Sequence, residues 1–412
     1  MKKMITIFCV MMLLMSSMAF SETRPLTMGD NNNVMLDDAN IWVYPSRIND
    51  YPNIARGEFG WDGGDGEFSN FGIHWQFNED NPWVLGTYFS ILPAYVPMDL
   101  FGNDLVPFGD LFDEGEGNNN RRIDLLYGRR LGAYDFGFGL SFLHSSMTTD
   151  APGDQSKEAF GYYKFSFGLT PDNGVWDLAA VIGMGSWTDE NGAGEAETEK
   201  DGFSDLALKG RYFYQMNPTC TFIPHVGLAH SKRGLKNNVM DGVGIAGNAS
   251  SLDYTLSDKS TMIDLGVGLN YTPANNVFGV FDFGFMLSKQ KREMDTTASF
   301  VADPGFTYVN EQDITTWFFP YLKIGLDADI FKWLDIRMGA TSYWTSESDE
   351  IGVAKVNARY PENATYLGFG FHFNRLHIDT QADPELFLNG FNFISGENKA
   401  MNFRISATYE MM

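Results

Sequence analysis

Apolar and polar residues alternate with a period of two over much of the chain. From Met262 to Tyr271, one face carries Ile263, Leu265, Val267, Leu269 and Tyr271, and the other Met262, Asp264, Gly266, Gly268 and Asn270. Leu322 to Ile330 and Tyr366 to Phe373 repeat the pattern, and Val277 to Phe285 repeats it less cleanly. The C-terminal run sets Met401, Phe403, Ile405, Ala407, Tyr409 and Met411 against Asn402, Arg404, Ser406, Thr408 and Glu410. Side chains at i and i+2 share a face of a strand, so each segment is a ribbon with one apolar side. The segments approach the about 9–11 residues of a transmembrane strand and exceed the about 5–6 of an ordinary soluble one. Gly, Asp, Lys and Arg on the polar faces suit a barrel lumen.

The connections alternate in length. Short turns are expected at 78–81, 130–132, 170–174, 216–218, 272–276, 329–331 and 374–375, and long polar connections at 94–119, 145–157, 188–202, 232–257, 291–312, 345–361 and 383–398. Outer-membrane barrels have this asymmetry, with tight periplasmic turns and longer outer loops. Counting strands between the connections, with others at 54–61 and 70–77, gives sixteen, or fourteen without the weak segments 54–61 and 375–381. The expected fold is therefore all-β: a transmembrane antiparallel β-barrel of 14–16 strands with an N-terminal hatch-like segment. Aromatic groups at Tyr162-Tyr163, Tyr212-Phe213-Tyr214, Trp317-Phe318-Phe319 and Tyr343-Trp344 fall near strand ends, where interfacial girdles are expected.

The first residues imply export. Lys2 and Lys3 precede an apolar run from Met4 to Leu14, and small residues between Ser16 and Ser21 supply a cleavage site. The division expected is a signal peptide at 1–21, a hatch-like segment at 22–53 and a barrel at 54–412. Cys220 is the one cysteine beyond the signal, so an intramolecular disulfide is excluded. The net charge of -24 speaks against nucleic acid as a partner. The partners expected are outer-membrane lipids and lipopolysaccharide, the barrel assembly machinery and small hydrophobic ligands, in the outer membrane of a Gram-negative-type cell.

Before the first strand stand Met28-Gly29, then Asp37-Asp38-Ala39, then Pro45. This order resembles the start of the mature chain in the FadL-like superfamily of outer-membrane transporters, which includes the PorV-like proteins. Tyr44 and Ser46 stand where that pattern has Asn and Ala. The resemblance implies a fourteen-stranded barrel with a lumen hatch. It also implies passage of hydrophobic molecules or, in the PorV branch, a role in secretion. Asp37, Asp38, Asn40 and Pro45 are the hatch residues by this comparison. Asp37, Asp38, Asn40, Arg47, Asn49 and Asp50 are in any case too polar for lipid, and inside a barrel they can meet basic residues such as Arg122, Lys164, Lys209, Arg211, Lys323, Arg337 and Arg404.

Among lumen-lining candidates are Asp264, Asp282, Lys323, Asp327, Arg337 and Arg404. Paired, such charges close a lumen; lining water, they make a pore. The apolar, Pro-interrupted stretch after the third strand offers a platform for a hydrophobic ligand at Leu92, Tyr95, Val96, Met98, Leu100, Phe101, Phe108 and Phe112. The six histidines are scattered, and no HExxH, paired-Cys or G-x-S-x-G motif is present. No catalytic residue, metal site or cofactor is expected, and no enzyme. The function expected is passive uptake of small hydrophobic molecules, with a non-specific porin or a structural, secretion-associated barrel as the alternative.

Overall fold

In the computed structural model the described residues are 23–62, 66–78, 82–92, 120–151, 154–191, 196–199, 202–241, 250–296, 311–351, 354–382 and 403–411. After a short helix at Thr23–Thr27 and 3₁₀ turns at Asp38–Trp42 and Pro45–Asp50, every regular element among the described residues is a strand. In chain order these are β1 (Ile54–Asp62), β2 (Gly66–Phe77), β3 (Trp83–Leu92), β4 (Asn120–Leu131), β5 (Tyr134–Ala151) and β6 (Asp154–Pro171). They continue as β7 (Trp176–Asn191), β8 (Ala196–Glu199), β9 (Phe203–Tyr212), β10 (Tyr214–Asn217), β11 (Cys220–Asp241) and β12 (Ser250–Ala274). The last are β13 (Val277–Thr296), β14 (Glu311–Phe331), β15 (Leu334–Ile351), β16 (Ala354–Phe373), β17 (Leu376–Ala382) and β18 (Phe403–Glu410).

Apart from β8 to β10, each strand pairs antiparallel with the next, and β1 pairs with β18 from Ile54↔Glu410 to Trp61↔Phe403, closing the ring. β8, β9 and β10 are successive pieces of one stave, since β7 pairs with both β8 and β9 and β11 with both β9 and β10. The barrel therefore has sixteen staves. The fourteen implied by the family resemblance is not met, because both weak segments form, as β1 and β17, and pair on either side with their neighbours. Every stave is thus paired on both sides, as a sheet that spans lipid requires.

The alternation sorts the two faces. Leu206, Leu208, Val226, Leu228, Leu265, Val267, Phe281, Phe283, Ile324 and Leu326 point outward and are exposed, while Asp205, Lys209, His225, Asp264, Asp282, Lys323 and Asp327 point inward and are buried. An apolar exterior around a charged interior is the inverse of a soluble protein and matches a barrel in a bilayer. At the short-turn end, Phe77 stacks on Trp83 at 4.2 Å, Phe331 on Trp333 at 5.7 Å and Trp333 on Phe371 at 6.4 Å, forming an aromatic rim. The clusters expected to build such girdles are instead divided. Tyr163, Trp317, Phe319 and Trp344 face out, whereas Tyr162, Phe318, Phe213 and Tyr343 turn inward, because adjacent residues of a strand take opposite faces.

Several stretches expected as loops are strand. The segments 145–157, 188–202, 232–257 and 345–361 extend hairpins, with pairing out to Ala151↔Asp154, Asn191↔Ala196, Asp241↔Ser250 and Ile351↔Ala354. β12 has 25 residues and β14 has 21, about twice what crosses a bilayer. Beyond the membrane both faces meet water, so the apolar alternation that marks a strand disappears there while the hydrogen-bond ladder continues.

Candidate functional site: a segment lodged in the lumen

Residues 23–53 lie inside the ring, in contact with inward-facing residues around its whole circumference. Asp37 caps the first 3₁₀ turn: its Oδ1 accepts from the Ala39 N–H at 3.0 Å, and Asn40 Oδ1 accepts from the Asp37 N–H at 3.1 Å. This reciprocal cap satisfies donors that a buried turn would otherwise strand. Pro45 opens the second turn, and beside it the Ser46 hydroxyl shares a hydrogen bond with Thr170 at 2.8 Å.

Arg211 of β9 is the main tether. Its Nε donates to Asp177 Oδ2 at 2.8 Å, its Nη1 to the carbonyls of Asn32, Asn33 and Met35 at 2.8–3.1 Å, and its Nη2 to Asn40 Oδ1 at 2.9 Å. The guanidinium also lies 4.4 Å from the Tyr44 ring centroid and 5.0 Å from that of Phe213. Arg47 reaches the same Asp177 carboxylate, at 2.9 Å, so one wall acid holds a cation from each body.

Further ion pairs ring the segment. Arg24 bridges Asp37 at 2.9 Å and Asp327 at 3.2 Å; Arg56 of β1 meets Asp38 at 2.9 Å; Lys323 meets Asp30 at 2.5 Å. Arg337 gathers Asp327 and Asp335, at 3.1 and 3.2 Å, together with Asp379. Burial alone would raise the Asp37 carboxyl, but Arg24, Asp38, Arg56 and the Ala39 N–H together hold it well below the usual carboxylate range. Asp38 is pushed the other way, by burial first and by Asp37, against the pull of Arg56.

Apolar seats complete the fit. Met28, Val34 and Met35 pack with Ile223 and Val280, and Ile41 and Ile48 pack with Val84, Tyr88 and Leu126. Two wall glycines make room for backbone: a Cβ on Gly137 would stand 2.0 Å from the Pro45 carbonyl carbon, and one on Gly339 2.2 Å from the Gly29 nitrogen. These inward glycines are required by close approach of a second backbone.

The lumen wall is layered from the short-turn end outward. The first layer holds the segment. Above it His225 Nε2 lies 2.9 Å from Asp282 and the Tyr321 hydroxyl donates to Asp264 at 3.0 Å. Next comes an apolar layer of Val181, Ala207, Ala229, Met262, Met286, Phe318 and Tyr321, with Tyr343 packed against it. The register joins these residues directly: Val181↔Ala207, Ala207↔Ala229, Ala229↔Met262, Met286↔Phe318 and Tyr321↔Tyr343 are partners. Beyond it the wall is polar again, with Asp205 accepting from the Tyr162 hydroxyl at 2.8 Å and Arg292 near Asp258.

Of the lumen-lining candidates, Asp264, Asp282, Lys323, Asp327 and Arg337 are buried on the inner face, and Arg404 is half-buried on that face of β18. Asp37, Asp38, Asn40 and Pro45 all belong to the lodged segment. Leu92 ends β3 opposite Asn120. Tyr95, Val96, Met98, Leu100, Phe101, Phe108 and Phe112 of the expected ligand platform lie outside the described residues, as do residues 1–22 with the expected signal peptide. Arg24, Asp177 and the apolar layer were not singled out from sequence. Their signals are single inward positions in strands or a charge just after the leader, and only the register brings them together.

No family model matches the chain, and no curated protein does. Among solved structures, the monoaromatic hydrocarbon channel CymD is 11% identical, with 95% of this chain and 99% of that one covered and a TM-score of 0.38. CdiB from Acinetobacter baumannii is 10% identical, with 86% of this chain covered and a TM-score of 0.41; the match spans 59% of CdiB. The ferric yersiniabactin uptake receptor FyuA from Yersinia pestis is 7% identical, with 87% and 80% covered and a TM-score of 0.40. The closed ring, its apolar exterior and its charged interior make this chain an outer-membrane-type β-barrel with a segment of its own N-terminal part seated in the lumen.

Proposed function

We propose that the protein is a plugged barrel of the Gram-negative-type outer membrane that takes up small, largely apolar molecules from its long-loop side. The observation that carries this reading is the apolar layer from Val181 to Tyr343, placed on the lumen wall between the lodged segment and the polar outer wall. A water-filled pore gains nothing from such a layer, whereas an apolar solute leaving water does, by about 25 cal/mol per Å² buried. The segment at 23–53 acts as the hatch beneath it, and its ion pairs are the contacts that must exchange for cargo to leave on the periplasmic side. Lipids and lipopolysaccharide surround the apolar exterior, and the barrel assembly machinery inserts it.

The reading is tested by photolabelling the reconstituted barrel with a small diazirine-bearing hydrocarbon, with excess unlabelled hydrocarbon as competitor. Competable labelling at inward Met262, Met286 and Phe318 is expected. Labelling restricted to outward residues such as Leu265 and Phe283 would mean that the lumen takes no apolar ligand.

A further inference from the structure

At the short-turn rim of the inner wall β16 and β17 meet. His372 and His377 are direct cross-strand partners on the lumen face, each about a third exposed. Their Nδ1 atoms point at one another at 2.7 Å. Their other nitrogens face carboxylates: His372 Nε2 contacts Asp335, and His377 Nε2 lies 3.7 Å from Glu410.

A neutral imidazole has one N–H. One ring therefore donates from Nδ1 and the other accepts, and a metal ion that displaces the shared proton gains both Nδ1 lone pairs at once. A carboxylate behind the far nitrogen is also the usual support of a metal-bound histidine, fixing its tautomer and strengthening the donor. The neighbouring acids offer no such vacancy. Asp327, Asp329 and Asp335 bring oxygens within 4.8 Å of one another, but Arg337 and Arg24 already supply positive charge there.

We propose that His372 and His377 bind a divalent transition-metal ion of the zinc class through their Nδ1 atoms. Asp335 and Glu410 orient the rings, and water completes the coordination. With Zn–N bonds of about 2.0–2.1 Å, tetrahedral binding sets two nitrogens roughly 3.3–3.4 Å apart, so this pair, now at 2.7 Å, needs to part by roughly 0.6–0.7 Å. Imidazole donors favour zinc, copper or nickel over calcium or magnesium. The ion would staple β16 to β17, the seven-residue strand against which the Thr23–Thr27 helix packs. This assignment stands apart from the uptake reading and does not depend on it.

The test is a zinc titration by calorimetry of the refolded full-length barrel, with excess calcium to occupy carboxylates elsewhere on the chain. A Cys220→Ser background removes the thiol at the start of β11 as a competing ligand. One ion per barrel is expected, with binding lost in His372→Ala and in His377→Ala and weakened about 10–100-fold in Asp335→Asn. Copper(II) in place of zinc should show hyperfine coupling to two imidazole nitrogens, a signature that a merely structural histidine pair lacks. No saturable binding, or equal binding in folded His372→Ala and His377→Ala variants, would overturn the assignment.

Discussion

Arg211 on β9 donates from Nη2 to the Asn40 side-chain oxygen at 2.9 Å, tying the barrel wall to the segment it encloses. The same guanidinium answers Asp177 and three carbonyls of that segment, so it serves as counter-ion and backbone partner at once. Removing one member of a buried, hydrogen-bonded charge pair costs about 3–5 kcal/mol. Arg211→Ala should therefore release the segment while leaving the barrel intact. Limited proteolysis should cut between residues 23 and 53 in the variant and not in the parent, with heat-modifiable migration unchanged in both.

Steric seating gives a second expectation. Gly137→Val places side-chain atoms where Pro45 and Ser46 now lie, and Gly339→Val where Met28 and Gly29 lie. Neither position faces lipid, so the sheet can still close. Both variants should conduct ions in planar bilayers, as the Arg211→Ala variant should.

Acidity acts on the segment through Asp37. Its carboxyl is held below its ordinary value in the folded protein, so its contribution is present above the ordinary carboxylate range of about 4 and is lost as pH falls further. Asp38 is raised by burial and contributes with the opposite sign, favouring the folded state as it takes up a proton. The lumen should consequently stay closed from neutral pH down to about 4 and begin to open below it. Asp37→Asn should weaken this closure at neutral pH and make progressively less difference as pH falls below about 4, which conductance measured against pH will show.

Inside and outside of the same strand should respond differently to charge. Leu208 sits mid-strand on the outer face of β9 and Ala207 on the inner face. Leu208→Arg should cost about 2–4 kcal/mol of folding stability in a bilayer, measured by urea unfolding of the reconstituted barrel. Ala207→Asp should cost much less and instead abolish the hydrocarbon labelling of Met262 and Met286.

The barrel was legible in the sequence wherever one strand face meets lipid, because Leu265, Val267 and their counterparts advertise a period of two. It was not legible in the hairpin extensions of β11 and β12, where water on both faces removes the contrast. The lodged segment announced itself by polarity, and Arg211, Lys323 and Arg337 could be named as its partners because a basic residue in mid-strand needs a lumen. Asp177 and the layer from Val181 to Tyr343 could not, since they arise from register across strands. The histidine pair has a faint signal, two histidines flanking the turn at Asn374-Arg375, which becomes a site only once β16 and β17 pair.

Residues 23–53 fill the lumen and should close it to ions. Single-channel conductance of the refolded barrel in a planar bilayer tests it most directly. Silence is expected from the parent at neutral pH and steady channels from Arg211→Ala. Large, steady conductance from the parent would contradict it and make the barrel an open pore.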